Sequence, residues 1–366
     1  MRSKTSRKAR YITAAAVLLL GVIGIVLLWQ RSGLTDDASA EVPVNAMAAV
    51  GASGASAPAT PAGPAGLTAA ATSFAPPALV DPVSPLQFGA KCDGVTDDSA
   101  AFQAALDHSD VRVPSATCVI DRTVVIHASH RHLECVPGGT LKRTNPYAQQ
   151  MFNVVAADDG TLTDDSIANC QFVGANSAAP QFTVNDERQN DIPIETQDRV
   201  SHFTLVGNTF ARFFGQSMFQ TYGRVDGGSG DVIAFNRFES CGYYGPVFDA
   251  HVNGYIGHNV LVDCAIGVEN DNPGQRSGGN VIEYNTVSAV HGYGAPDMRS
   301  AAMLTGGAAG GANYSGNVVR YNVVSGVSDG SRADRGTQPA RIWQKSNGTA
   351  ARYLGNTCTN GCEVIR

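Results

Sequence analysis

Short β-like phrases that end in asparagine recur from about residue 203 to the end of the chain. Successive asparagines are separated by about 23 to about 39 residues. A rigid helical repeat does not tolerate such variable spacing, whereas stacked β-coils with loops of different length do. An asparagine at the same turn of each coil can hydrogen-bond its equivalent in the next. The predicted ladder is Asn208, Asn236, Asn259, Asn285, Asn322 and Asn356, with an early copy at Asn169.

A second apolar strand precedes each ladder phrase, and aligning these strands predicts which side chains face the core. The predicted inward residues are Ile194, Phe219, Phe248, Val268, Met303 and Ile342. Side chains alternate across a strand, so the residues one and three positions later point outward. The first outward column is predicted to hold Glu195, Gln220, Asp249, Glu269, Leu304 and Trp343. The second is predicted to hold Gln197, Tyr222, His251, Asp271, Gly306 and Lys345.

The middle coils of this alignment place Asp249, His251, Glu269 and Asp271 on one outward face. Neighbouring strands are about 4.8 Å apart, so these side chains are predicted to lie within reach of one another. Tyr222 stands above His251 in the predicted register. We interpret this face as a functional cleft, the alternative being an ordinary solvated surface.

The amino terminus begins with a basic segment, residues 1–10, followed by an uncharged apolar run over residues 11–29. Nineteen residues in a helix span roughly 28 Å, enough to cross a bilayer core. Basic residues before the run favour a cytoplasmic amino terminus and a periplasmic remainder. The sequence therefore predicts a single-pass inner-membrane anchor. The alternative is a cleaved signal peptide ending near Ala38-Ser39-Ala40, which would give a secreted protein.

Composition separates a tether from a globular part. Residues 30–84 are rich in Ala, Pro, Gly and Ser, which cannot bury enough apolar surface to fold, so we expect a linker. Residues 85–366 are the predicted β-helix domain. The whole chain has 40 Gly, 17 Pro and a net charge of −6. Many turns and few helices are expected, and no basic groove for nucleic acid.

Eight cysteines in an exported chain favour disulfides over metal thiolates. Cys241 and Cys264 each follow a ladder asparagine by five residues, so the repeat places one above the other and predicts that they pair. The pairing of the others is left open by the spacing. These further structural candidates are Cys92, Cys118, Cys135, Cys170, Cys358 and Cys362.

Residues 88–106, FGAKCDGVTDDSAAFQAAL, resemble the opening of the pectate-lyase-like β-helix superfamily. This superfamily includes rhamnogalacturonases, polygalacturonases, tailspike-like depolymerases and uronate epimerases. The resemblance implies an all-β, right-handed parallel β-helix whose first coil is plugged by a helix, and a polysaccharide partner. Thr96, Asp97 and Asp98 fit the start of that helix, so the two aspartates are expected to be structural.

A second resemblance concerns the reaction. Phe248-Asp249-Ala250-His251 is similar to the Phe-Asp-Pro-His core of the mannuronan C5-epimerases. In that family the acid and the histidine lie two apart on one strand, and a further aspartate lies in the next coil, a position that Asp271 matches here. The family's tyrosine three residues before the acid is Pro246 in this chain, so Tyr222 or Tyr244 would take its role.

Uronate lyases and C5-epimerases both remove the proton at C5, beside the sugar carboxylate, which needs a base and stabilisation of developing charge. His251 is the predicted base and a tyrosine the proton donor. Asp249 or Glu269, if protonated, would donate a hydrogen bond to the carboxylate. No cofactor is required, but Ca²⁺ held by Asp249, Glu269 and Asp271 would serve the same purpose. The predicted substrate-binding residues are Gln220, Tyr244, Arg341, Trp343 and Lys345.

Two other functions fit the same sequence. A glycoside hydrolase of polygalacturonase or rhamnogalacturonase type would use Asp249, Glu269 and Asp271 as acid and base, and Arg341-Ile342 resembles part of an Arg-Ile-Lys element of the polygalacturonases. A non-catalytic β-helix would bind glycans through Trp343 and the tyrosines, or form part of an exopolysaccharide export complex. The sequence favours the lyase or epimerase reading, with hydrolysis second.

Overall fold

The computed structural model describes residues 74–156, 160–176, 187–222, 228–271, 277–288, 301–305, 314–325, 341–344, 351–360 and 362–365. These residues belong to one unit of the chain, residues 60–366. The predicted basic segment, membrane anchor and most of the linker lie outside them. Within the described ranges, no helix is long and apolar enough to cross a membrane.

Each coil of the described domain is built from three short strands, and every strand pairs in parallel with its equivalent one coil away. Many strands have three residues of which the central one is buried, as in Gln171–Val173 with Phe172. Inward side chains therefore stack between coils: the rings of Phe172 and Phe210 are 4.6 Å apart, and those of Phe210 and Phe238 are 5.0 Å apart. The chain folds as a parallel β-helix, as predicted.

Three long sheets and one short pair contain all the strands of the described residues. Sheet 1 has β1 Asp93–Asp97, β3 Thr117–Val119, β6 Thr140–Lys142, β10 Gln171–Val173, β14 Thr209–Ala211, β17 Arg237–Glu239, β20 Val260–Val262, β23 Thr286–Ser288, β26 Val323–Ser325 and β29 Thr357–Thr359. Sheet 2 has β2 Val111–Val113, β5 His132–Cys135, β9 Ser166–Ala168, β13 Thr204–Val206, β16 Val232–Ala234, β19 Tyr255–Gly257, β22 Val281–Glu283, β25 Val318–Arg320 and β28 Arg352–Leu354. Sheet 3 has β4 Val124–Ile126, β7 Phe152–Val154, β11 Ile194–Gln197, β15 Ser217–Tyr222, β18 Tyr244–Asp249, β21 Val268–Asp271, β24 Ala301–Thr305, β27 Arg341–Gln344 and β30 Glu363–Ile365. The short pair is β8 Leu162–Thr163 and β12 Val200–Ser201.

A helix lies where the first resemblance places it, α1 Ser99–His108, preceded by a short 3-10 helix, Pro85–Phe88. The Asp98 carboxylate accepts hydrogen bonds from the backbone N–H groups of Lys91 (2.6 Å), Cys92 (3.1 Å) and Val119 (3.2 Å). Asp97 accepts from the Ser99 N–H at 3.0 Å. Both aspartates fasten the helix to the first coil, so they are structural.

The asparagine ladder is present in the turn between sheets 2 and 1. Each side-chain amide donates to the next asparagine's Oδ1 at 2.9 to 3.1 Å, from Asn208 through to Asn356. The early copy, Asn169, was placed wrongly. Asn169 is exposed with φ of 59°, and Cys170 takes the ladder position because its N–H donates to Asn208 Oδ1 at 2.9 Å.

All eight cysteines are paired. Cys241 bonds to Cys264 as the repeat predicted. The pairs that spacing left open are Cys92–Cys118, Cys135–Cys170 and Cys358–Cys362. The first three disulfides close loops of 23 to 35 residues and tie neighbouring coils together.

Candidate functional site

The outer face of sheet 3 carries the predicted acidic residues, but with a different register in the middle coil. Phe248 pairs with Thr221 and Asn270. The residue of β18 in the same column as Ile194 and Phe219 is Pro246. The prediction was therefore two residues out at β18. The first outward column is Glu195, Gln220, Val247 and Glu269, and the backbones of Leu304 and Trp343 continue the same register. Asp249 belongs to the second column, directly opposite Asp271.

His251 is not on this face, and its predicted position was wrong. The strand ends at Asp249, and Ala250 adopts a left-handed conformation, φ 48°, that turns the chain. His251 is consequently 0% exposed, with its ring stacked on Phe248 at 4.2 Å between centroids. Its Nδ1 is 3.1 Å from Asn280 Oδ1, and its Nε2 is 3.3 Å from Asp231 Oδ2. A buried imidazole in this place cannot reach a polymer bound outside.

Space for this imidazole depends on a neighbouring glycine. A Cβ atom on Gly254 would lie 2.5 Å from His251 Cε1 and 2.5 Å from Phe248 Cε2. Such distances are too short for any side chain, so residue 254 must be glycine for the histidine to pack inside.

Asp249 and Asp271 form a carboxyl pair across β18 and β21. Burial raises the pKa of Asp249 well above its usual value, and the negative charges of Asp271 and then Glu195 raise it further. The Asp249 N–H donates to Thr221 Oγ1 at 2.9 Å, which fixes the end of the strand. Tyr314, fully buried, donates from its hydroxyl to Asp271 Oδ1 at 3.4 Å. Sequence reasoning missed Tyr314 because it lies outside the repeating strands.

Glu195 and Glu269 flank this pair in the first outward column, and both are largely buried. Burial raises the pKa of Glu195 to about 7, against the opposing effect of hydrogen bonds from Gln150 and Gln197. Gln150 Nε2 donates to Glu195 Oε1 at 3.0 Å. The face thus carries at least two carboxyl groups that hold protons more tightly than usual.

Tyr244 lies beside the acids but does not present its ring to a ligand. It is only 4% exposed, and its hydroxyl donates to the Tyr243 hydroxyl at 3.0 Å. Burial, followed by the charge of Glu269, raises its pKa well above the usual value. Its predicted role in substrate binding does not fit this buried position.

Gln220 was predicted to bind substrate, and it lines a groove of about 370 Å³ on the same face. Most of the groove's lining is amide side chains that sequence reasoning did not select. The sequence signal that could have identified these residues was the recurrence of glutamine in neighbouring coils. The lining is Gln150, Gln189, Asn190, Ile192, Glu195, Gln197, Gln216 and Gln220.

Several predicted residues have no described side chain. Tyr222 lies in β15 opposite Gln197, while Arg341 and Trp343 lie in β27 opposite Ala301 and Leu304. Only their backbone register is described. Lys345 lies outside the described residues, so its predicted role stays a prediction.

The carboxylates predicted to bind Ca²⁺ do not converge on one point. In the described part of the chain, the only close set of possible ligand atoms belongs to Cys92, Asp98 and Cys118, whose two sulfurs form a disulfide. Asp249 and Asp271 face each other, whereas Glu269 lies in the adjacent column. Binding of Ca²⁺ by these three residues stays a prediction.

No protein-family model matches the chain, and no curated protein matches its sequence. Among solved structures, a hyperthermoactive exopolygalacturonase from Thermotoga maritima superposes with a TM-score of 0.54 at 14% identity, over 79% of this chain and 76% of that one. A DFA-IIIase from Arthrobacter chlorophenolicus superposes with a TM-score of 0.51 at 9% identity, over 75% and 67% of the two chains. These similarities support the predicted right-handed β-helix fold.

Proposed function

We propose that the protein is a glycoside hydrolase that cleaves a polysaccharide at the outer face of sheet 3. The observation that carries this proposal is the carboxyl pair of Asp249 and Asp271, flanked by Glu195 and Glu269. Glycoside hydrolysis requires two carboxyl groups, one protonated and one ionised, on either side of the scissile bond. Neighbouring carboxyls that cannot both ionise supply that combination.

Asp249 is the proposed general acid, because burial and the negative charges of Asp271 and Glu195 raise its pKa and so favour its protonated form. It protonates the glycosidic oxygen as the bond to the anomeric carbon breaks. Asp271 is the proposed base, which takes a proton from the attacking water, so that one water is consumed for each bond cleaved. The transition state carries positive charge on the sugar ring, which nearby carboxylates stabilise.

The charge on this face supports hydrolysis over C5 proton abstraction. Removal of the C5 proton builds negative charge on the sugar, and β11, β15, β18 and β21 contain no Lys or Arg to stabilise it. The base proposed from the sequence, His251, is inside the domain. The lyase or epimerase reading, with Tyr222 as proton donor, is therefore the second candidate.

The test is to incubate the full chain with a panel of polysaccharides in deuterated water. Hydrolysis gives new reducing ends without unsaturation, a lyase gives unsaturated ends, and an epimerase gives deuterium at C5 without cleavage. We expect Asp249→Asn and Asp271→Asn each to lower kcat by about 10²- to 10⁴-fold. The control is Asp164→Asn, an exposed aspartate in a left-handed turn that asparagine also adopts readily. Unchanged cleavage in either site variant would exclude this pair as the catalytic groups.

We further propose, from the sequence, that residues 11–29 anchor the protein in the inner membrane with the β-helix on the periplasmic side, where disulfides form. Membership of an exopolysaccharide export complex would follow from that location. Fractionation of cells carrying the full chain tests the anchor: release by high salt, or recovery in the medium, would contradict it.

A further inference from the structure

The groove beside Glu195 differs in chemistry from the acidic part of the same face. It lies on the coils of β11 and β15, next to the coils of β18 and β21 that hold Asp249 and Asp271. A polymer that runs along the coils and reaches the carboxyl pair would place a neighbouring sugar unit in this groove.

Amides dominate the described lining of the groove. Each amide offers two N–H donors and a carbonyl acceptor, a combination that matches sugar hydroxyls, which both donate and accept. Gln220 is buried and oriented, because its Oε1 accepts from Ser217 Oγ at 3.0 Å. Gln216 lies at the exposed rim. The donors are therefore partly fixed before a ligand arrives, which lowers the entropic cost of binding.

Charge in the groove disfavours an acidic sugar. The described residues that line it include one carboxyl, Glu195, and no cation. Two described arginines near it in the sequence have other contacts: the Arg188 guanidinium lies 3.8 Å above the Phe214 ring, and Arg143 is fully buried near Asp191. Burial raises the pKa of Glu195 to about 7, so above that pH a uronate would bring a second negative charge beside an ionised carboxyl, and like charges at short distance in a poorly solvated site repel strongly.

We propose that this groove, lined by Gln150, Gln189, Asn190, Gln197, Gln216 and Gln220, binds an uncharged, hydroxyl-rich sugar unit and selects against a uronate at that subsite. The inference rests on the proposed function for the placement of the polymer. It departs from the uronate-containing substrate that the sequence favoured. It concerns this subsite alone, and the units bound on the C-terminal coils are not constrained by it.

The test is binding of the full chain, as the Asp249→Asn variant to prevent turnover, to an array of neutral and uronate oligosaccharides. The array includes pairs with the same linkages that differ only in whether C6 is a hydroxymethyl or a carboxylate. We expect the neutral member of each bound pair to bind about tenfold or more tightly. Gln216→Lys adds a cation at the groove rim without altering the core, and we expect it to reduce or reverse that preference.

The matched control is Gln171→Lys, an exposed glutamine on β10 of sheet 1, which should leave the preference unchanged. Uronate members that bind as tightly as their neutral partners would overturn the inference, and so would absence of binding to any member. The two proposals fail separately. If Gln216→Lys alters the binding of neutral sugars but the wild-type chain releases no reducing ends, only the hydrolase proposal is rejected. If the chain cleaves an all-uronate polymer and Gln216→Lys does not change that cleavage, only the proposal of a neutral subsite is rejected.

Discussion

The buried imidazole of His251 lies against three groups: the Phe248 ring, Asn280 and Asp231. Replacing it with alanine removes the stacked ring, while Asn280 Oδ1 keeps its hydrogen bond from the Gly254 N–H at 2.8 Å. Truncating a fully buried aromatic side chain to alanine costs about 3–5 kcal/mol, largely through the cavity that it leaves. We therefore expect His251→Ala to lower the free energy of unfolding by about 3 kcal/mol or more, measured by urea denaturation.

The informative comparison is with Val252→Ala, the next residue and only half-buried, for which we expect a loss of about 1 kcal/mol. If His251 were a catalytic base instead, His251→Ala would lose activity and keep its stability. Full stability with more than a hundredfold loss of kcat would thus contradict the position described for this residue.

The failure to place His251 from the sequence has a specific physical cause. Side chains alternate with a period of two, so a two-residue error in register leaves Phe248 inward and Asp249 outward. The alternation therefore predicted the acidic face correctly, although it could not detect the slip. Carrying the alternation on to His251 assumed a longer strand, whereas the chain turns at Ala250. Side-chain hydrogen bonds such as those of Tyr314 have no periodicity and could not be predicted.

At the scale of the repeating element, the asparagine ladder was predictable because each coil needs the same turn. Asn259 lies in the middle: its Nδ2 donates to Ile233 O at 2.8 Å and to Asn285 Oδ1 at 3.0 Å, and its Oδ1 accepts from the Asn236 N–H at 2.9 Å. Asn259→Ala leaves both backbone groups without partners inside the domain. We expect a loss of about 2–4 kcal/mol in the free energy of unfolding.

Asn169→Ala is the matched control for this element. Asn169 is exposed and lies outside the ladder, although its Nδ2 donates to Glu134 Oε1 at 3.0 Å. A surface hydrogen bond of this kind contributes little, but alanine is strained at the left-handed φ of 59°, so we expect a loss of about 1 kcal/mol, well below that of Asn259→Ala. If urea denaturation gave the same loss of stability for both variants, a ladder asparagine would contribute no more to the stability of the coils than an exposed asparagine does.

At the scale of the whole molecule, buried acids make stability depend on pH. Burial raises the pKa of Asp165 to about 7, of Asp191 to about 6 and of Glu195 to about 7. In the unfolded chain these groups titrate near 4, so between pH 4 and pH 7 the folded state binds more protons than the unfolded state. Stability is consequently highest near the low end of this window and falls as pH rises through the folded pKa values.

We therefore expect the Tm of the full chain to fall from pH 5 to about pH 7, as these carboxyls ionise in the folded domain, and to level off at higher pH. Asp165→Asn tests the assignment, because asparagine retains the acceptor for the Arg131 N–H but cannot ionise. A shift of about three pKa units corresponds to roughly 4 kcal/mol at most, so the Tm of the variant should decline clearly less with pH.

Below pH 4 the trend reverses, since hydrogen bonds to Asp97 and to Asp93 hold their pKa values low and both lose these bonds when protonated. Burial lowers the pKa of His132 and of His258, which opposes the decline above pH 5, so the Asp165→Asn variant is the decisive measurement. If the Tm of Asp165→Asn depends on pH as that of the wild type does, this carboxyl is solvated in the folded protein, and the proposed acid on sheet 3, whose raised pKa has the same origin, would lose its support.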